Sequence, residues 1–290
     1  MDAFSQCHPA VNFLYFVGVI GCGVVIQHPV YLLLGVVCGA VYYLLLHGAK
    51  GWRTVGAAVP LLLLITAINP LFNTYGATTL FTLLGRPYTL EALYYGAAVA
   101  AIFVEMLLWF GCYNKVLTGD KFTALFGALL PSISLLLVMV LRLVPHLMRK
   151  TRQMLHARRS LGKGAPERAA IKEKLRDGLT VLGAMTSWAL EDSVVTGDSM
   201  RARGYGTARR TSFLRWRMDG QDKLLFALIG ALLCAVIVAA ATGQTAAVYT
   251  PYTHCAPLSW GAVPYAAYLL LPTILHVKEA IQWHISRSGI

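Results

Sequence analysis

Two short runs hold the side chains best suited to chemistry. Met200-Arg201-Ala202-Arg203-Gly204-Tyr205-Gly206 closes a long basic stretch, and His156-Ala157-Arg158-Arg159-Ser160 is a weaker upstream echo of it. A guanidinium is a planar fork of donors that matches a carboxylate, so arginines at helix ends suit the recognition of an acidic protein partner. The helix dipole also stabilises a cation in a last turn, by about 0.3 to 1 kcal/mol, and that structural role is open to either arginine taken alone. The repeat of Ala-Arg at a helix end favours docking, and Met200 and Tyr205 are suited to filling an apolar groove beside Arg203. Glu105, in Val104-Glu105-Met106, is a carboxyl in the middle of an apolar run. At that depth a charge costs about 2.5 to 3.5 kcal/mol. Pairing with Arg142, a contact with a membrane partner, and a role in helix packing are all open to it.

Signs of catalysis are absent. The eight histidines are scattered without HExxH, and there is no GxSxG and no GxxxxGK[ST], so the chain is not expected to bind ATP through a P-loop. His146 and His156 lack nearby carboxylates. The six cysteines form no CxxC pair and several lie in apolar runs, as buried thiols do. No catalytic residue, cofactor or metal is expected.

The elements that position these residues belong in a membrane. With 57% hydrophobic and 13% charged residues and a mean hydropathy of +0.60, the chain is far more apolar than a soluble protein. Its net charge of +12 does not point to nucleic acid: between Arg142 and Arg217 lie 17 Lys/Arg and 6 Asp/Glu, so +11 sits in one segment. That is the signature of a large cytoplasmic insertion under the positive-inside rule. Met1–His8 has no Lys or Arg, unlike the start of a cleaved signal peptide, so the first apolar run is expected to remain.

Apolar runs near spanning length occur at Val11–Ile26, Val30–Leu46, Val55–Phe72, Leu90–Cys112 and Leu224–Thr242, with a sixth at about Gly261–Trp283. Gln27-His28-Pro29 separates the first two as a helical hairpin, and Lys50 and Arg53 mark the next loop as cytoplasmic. Asn73–Tyr88 is then an outer loop, and Tyr249, Tyr252, Trp260 and Tyr265 suit an outer aromatic belt. Phe122–Met148 is apolar, but crossing there would put the basic segment outside. Pro131 and Pro145 leave an uninterrupted piece, Ser132–Val144, too short to span, so a buried or interfacial helix is expected. After the break at Gly162–Pro166, a helix is expected over Glu167–Arg203, about 50 Å long at about 1.5 Å per residue. It should bury a face formed by Leu175, Leu179, Leu182, Met185 or Thr186, and Ala189. Gly204 supplies its left-handed end.

The expected class is an all-α polytopic membrane protein with about six transmembrane helices, both termini cytoplasmic, and long amphipathic cytoplasmic helices. Residues 1–112 form four spans, 113–221 the membrane-associated and cytoplasmic region, and 222–290 the last two spans.

Ala202-Arg203-Gly204, within Ser199–Tyr205 and preceded by Glu191-Asp192, resembles the second Ala-Arg-Gly signature of the transmembrane T component of energy-coupling factor (ECF) transporters, the EcfT/CbiQ family. Leu141-Arg142-Leu143-Val144-Pro145 resembles the family's Leu-Arg-Phe-Ile-Pro segment, and Asn69-Pro70-Leu71-Phe72 its third-span ending. The first signature corresponds to Ala157-Arg158-Arg159, with Arg where the family has Gly or Ser. The likeness runs from about His8 to Lys223. It implies a non-catalytic scaffold in a prokaryotic plasma membrane that links two ABC-type ATPase subunits to a membrane-embedded substrate-binding S component, for uptake of a vitamin or transition-metal ion. The implied ATPase contacts are Arg203 and Arg158, with Arg159 the alternative to Arg158. A self-sufficient secondary transporter is the other reading of such a chain, but it should show internal repeats and broken spans around a polar site. No repeat is seen.

Overall fold

Two His-Pro pairs open the first long helices. Proline fits the first helical turn, where its missing N–H costs nothing, and in each pair the preceding histidine caps the turn. His8 Nδ1 accepts from the Ala10 amide at 3.2 Å and His28 Nδ1 from the Val30 amide at 3.3 Å. The computed structural model describes residues 3–73, 76, 78–83, 86–127, 131–162, 164, 170–207, 217–249, 253–257 and 259–288. They are almost all helical, with two small antiparallel hairpins.

One unit joins the two ends of the chain, Met1–Phe122 and Trp216–Ile290. It holds α1 (Ala3–Gln6), α2 (Pro9–Val25), α3 (Pro29–His47), a short 3-10 turn, α4 (Gly51–Phe72), α5 (Leu90–Val116), the start of α6 (Gly119–Gly127), α9 (Gly220–Ala241) and α10 (Ala262–Ser288). Three helical segments are long and apolar enough to cross a membrane: Pro29–Phe72, which contains α3 and α4, then α5, then α9. The helix α2 is apolar but has 17 residues. In the expected outer loop, β1 (Thr79–Leu83) pairs with β2 (Arg86–Thr89), and buried Glu91 at the start of α5 accepts from the Thr78 hydroxyl at 2.7 Å. Further on, β3 (Ala247–Val248) pairs with β4 (His254–Cys255). His28 Nε2 lies 3.0 Å from the Ala256 carbonyl, so the cap of α3 also ties down this second hairpin.

The core of this unit is aromatic. Trp109 of α5 is fully buried and meets Tyr15 and Phe16 of α2 and Tyr42 of α3 at centroid distances of 6.0, 6.5 and 6.2 Å. The Tyr268 ring of α10 lies tilted 5.1 Å from that of Tyr15, and its hydroxyl donates to the Tyr15 carbonyl at 2.8 Å. Offset and edge-on contacts of this kind add to the burial of large apolar areas. Beside it, Leu32 and Val36 of α3, Leu62 of α4, Ala98 and Ala101 of α5 and Tyr249 line an open apolar cavity of about 680 Å³. The Tyr249 hydroxyl donates to the Gln27 carbonyl at 2.6 Å. Burial pushes this phenol up to about 12, and the nearby Cys255 adds to the shift.

The second unit, Thr123–Arg215, holds α7 (Pro131–Ser160) and α8 (Ile171–Ala202). Pro145 leaves only a short uninterrupted piece before it, and α7 continues through it toward the cytoplasmic basic residues, for 30 residues in all. A proline removes one backbone bond and crowds the preceding turn, and the turns on either side carry the helix past it. The expected start of the next helix at Glu167 lies outside the described residues, and α8 is described from Ile171.

Candidate docking surface and a buried carboxyl

Three contacts fix how α7 and α8 run. Near the end of α7, Arg158 meets Asp177 of α8, with Nη2 at 2.5 Å and Nε at 2.7 Å from the same Oδ1. Two to three turns back along α7, the His146 ring lies 5.4 Å from Trp188, and the Lys150 ammonium sits 5.4 Å from the centre of the same indole. Stepping backward on α7 therefore means stepping forward on α8, so the helices are antiparallel. Their C-terminal ends point opposite ways. From Asp177, which grips the end of α7, α8 continues to Arg203 for about 40 Å at about 1.5 Å per residue. The two arginine motifs therefore stand at the two ends of the hairpin.

Both ends finish with a glycine in the left-handed region. Gly204 (φ 78°) donates to the Arg201 carbonyl at 2.9 Å while the Tyr205 amide donates to Met200 at 3.0 Å, the paired bonds of a Schellman end. Gly162 (φ 69°) donates to the Arg159 carbonyl at 3.0 Å. A side chain at either glycine would be strained by the positive φ. Counted from these glycines, Arg159 holds the place of Arg201, and Leu161 that of Arg203. Both glycines bond three residues back, but Arg158, four residues before its glycine, and Arg203, directly before its own, do not fall at equivalent positions.

Ala202, Arg203, Gly204 and Tyr205 are exposed, as are Ala157 and Arg159. Arg203 makes no ion pair among the described residues, whereas Arg201 lies 4.0 Å from Asp198 in a solvent-exposed pair, an arrangement that contributes little. Arg158 is different: its side chain is 28% exposed and that of Asp177 13%. Arg142 is exposed on α7.

The buried face of α8 also differs from the expected one. Met185 is buried as expected and Ala189 half-buried, with Val181, Asp177 and Trp188 on the buried side, but Leu175, Leu179 and Leu182 are each more than 60% exposed. The periodicity was that of a helix, and α7 packs about a third of a turn away from the leucine stripe. Ile171 extends that uncovered stripe, and exposed Lys172 and Arg176 flank it.

Glu105 lies in the other unit, on the buried side of α5. Its Oε1 accepts from the Tyr265 hydroxyl of α10 at 3.3 Å, while Oε2 is buried with no partner. Two glycines make its place: a Cβ at Gly35 of α3 would stand 2.1 Å from Oε1, and one at Gly23 of α2 2.8 Å. One turn along α5, Trp109 Nε1 donates to the Gly35 carbonyl at 3.2 Å. The carboxyl therefore sits where α2, α3, α5 and α10 meet. The sequence marked Glu105 through its depth and suited Tyr265 to an outer aromatic belt, whereas Tyr265 is buried against Glu105; it gave no sign of Gly23 or Gly35, and the three residues come from three other helices. Among the described residues no three His, Cys, Asp or Glu side chains cluster as metal ligands would.

Fold and surface together define a mostly helical protein with apolar helical segments long enough to span a membrane and a basic helical hairpin whose arginine ends are exposed. Compared with known proteins, the chain matches no family model and no curated protein.

Proposed function

We propose that the chain is the transmembrane scaffold, or T component, of an ECF-type importer. It passes the motion of two cytoplasmic ABC-type ATPases to a membrane-embedded S component that carries a vitamin or a transition-metal ion. The observation that carries this reading is the antiparallel hairpin of α7 and α8, with an exposed arginine end on each side and about 40 Å of helix between them. Such a rod can engage two acidic grooves on two separate subunits, one at each end. A guanidinium held on a helix end gives each contact charge and direction, and the helix between them transmits displacement as a stiff element. The uncovered stripe Ile171, Leu175, Leu179 and Leu182 is then the surface offered to the S component. In this reading α2, α3, α4, α5, α9 and α10 are the six spans. Both termini and the basic hairpin face the cytoplasm of a prokaryote, as the charge distribution favours.

The test is detergent co-purification with co-expressed P-loop ATPases, together with ATP-driven uptake. Arg203→Glu should lower retention of the ATPases by about tenfold, equivalent to about 1.4 kcal/mol, and uptake with it. Unchanged assembly and uptake in that variant would sink the docking role. Uptake by this chain alone in proteoliposomes would instead establish a secondary transporter.

A further inference from the structure

We infer that Arg158 is a positioning residue, and that Arg159 is the guanidinium which the α7 end presents to its partner. The inference rests on the docking role proposed above. Arg158 directs two of its donors across the hairpin onto one Asp177 oxygen, at 2.5 and 2.7 Å, and both side chains are largely covered. A partner carboxylate could reach that fork only by displacing Asp177. The pair also bridges the two helices where the chain between them turns, so it fixes the angle at which the α7 end projects.

Arg159 is placed for the other task. It is the next residue, about 100° further around the helix, and it is exposed, with no ion pair among the described residues. The chain after the helix folds back on the base of its side chain: the Gly164 amide donates to the Arg158 carbonyl at 3.1 Å, and a Cβ at Gly164 would stand 2.9 Å from Arg159 Cγ. The stem is thus held while the head remains open. Arg159 also shares its place before the left-handed glycine with exposed Arg201. The hairpin therefore has two unlike ends: one shows an arginine braced by a second arginine behind it, and the other shows Arg203 at the cap itself.

The experiment uses the full chain in lipid nanodiscs, as Arg158→Asp, Asp177→Arg, the two combined, and Arg159→Glu. Hydrogen exchange along α7 and α8 reads the hairpin without any partner, and retention of co-expressed P-loop ATPases reads docking. Either single change at the pair should speed exchange at the joined ends about tenfold, an opening easier by about 1.4 kcal/mol, and should lower retention. The combined exchange of charges should return both toward wild type. Arg159→Glu should leave exchange unchanged and lower retention about tenfold. Restored exchange without restored retention in the combined variant would make Arg158 a contact after all, and full retention in Arg159→Glu would overturn the assignment equally. If the wild type retains no ATPase, the docking role falls. Recovery of exchange in the combined variant still decides whether the Arg158–Asp177 pair holds the hairpin.

Discussion

The two units satisfy their side chains in opposite ways. In the unit built from the chain's ends, even a carboxyl is enclosed: Glu105 fills a notch cut by Gly23 and Gly35, and Trp109 interlocks with the same helix face. In the unit of α7 and α8, two helices of 30 and 32 residues share one narrow seam, and leucines on α8 stay uncovered beside cations. Lipid accounts for the apolar surface of α3, α5 and α9, which are of membrane-spanning composition. It does not account for a leucine stripe flanked by Lys172 and Arg176. The first unit is finished by its own packing, whereas the second has the form of a part waiting for others.

Substitutions can break or sharpen this contrast. The largest effect is expected from Trp109→Ala, which empties the aromatic core and leaves the Gly35 carbonyl without its donor. A loss of about 3–5 kcal/mol should appear as a much lower unfolding temperature in detergent. Gly35→Val should follow, at about 1–3 kcal/mol, because its side chain would occupy the space of the Glu105 carboxyl; Glu105→Ala in the same chain should recover part of that loss. In the second unit, Arg158→Ala should cost about 1 kcal/mol or less of global stability, seen mainly as faster exchange near the α7–α8 joint. Smallest of all, Leu179→Gln with Leu182→Gln should change the stability of the isolated chain by no more than about 0.5 kcal/mol each, while weakening assembly with a membrane partner. A large stability loss from that last pair would show that the stripe is buried within the chain and would erase the contrast.

How far the sequence foretold this depends on the range of the interaction. The helix ends were legible because capping is local: Gly204 and Gly162 sit where a left-handed residue must close a helix, and the apolar runs carry their own length. The basic segment was legible as charge alone. The face of α8 was legible at Met185 but not at its leucines, because they and Val181 both fit helical spacing and only the position of α7 chooses between them. Arg158 and Asp177 lie on two helices separated by a glycine-containing break, so nothing local links them. Glu105 stood out as a buried charge, but its notch needs residues from α2, α3 and α10 in one place, and no periodicity carries that. Two histidines that cap α2 and α3 passed as loop residues, although each stood directly before a proline and so marked a helix start.

The central claim is that the hairpin joins two separate partners, one at each end. Native mass spectrometry of the intact complex with co-expressed P-loop ATPases measures it most directly. The wild-type chain should hold two ATPase subunits, and Arg203→Glu should weaken binding at its own end about tenfold, giving particles with one subunit while the α7 end stays occupied. Two subunits retained at wild-type strength by Arg203→Glu, or a wild-type chain that never holds more than one, would contradict the account.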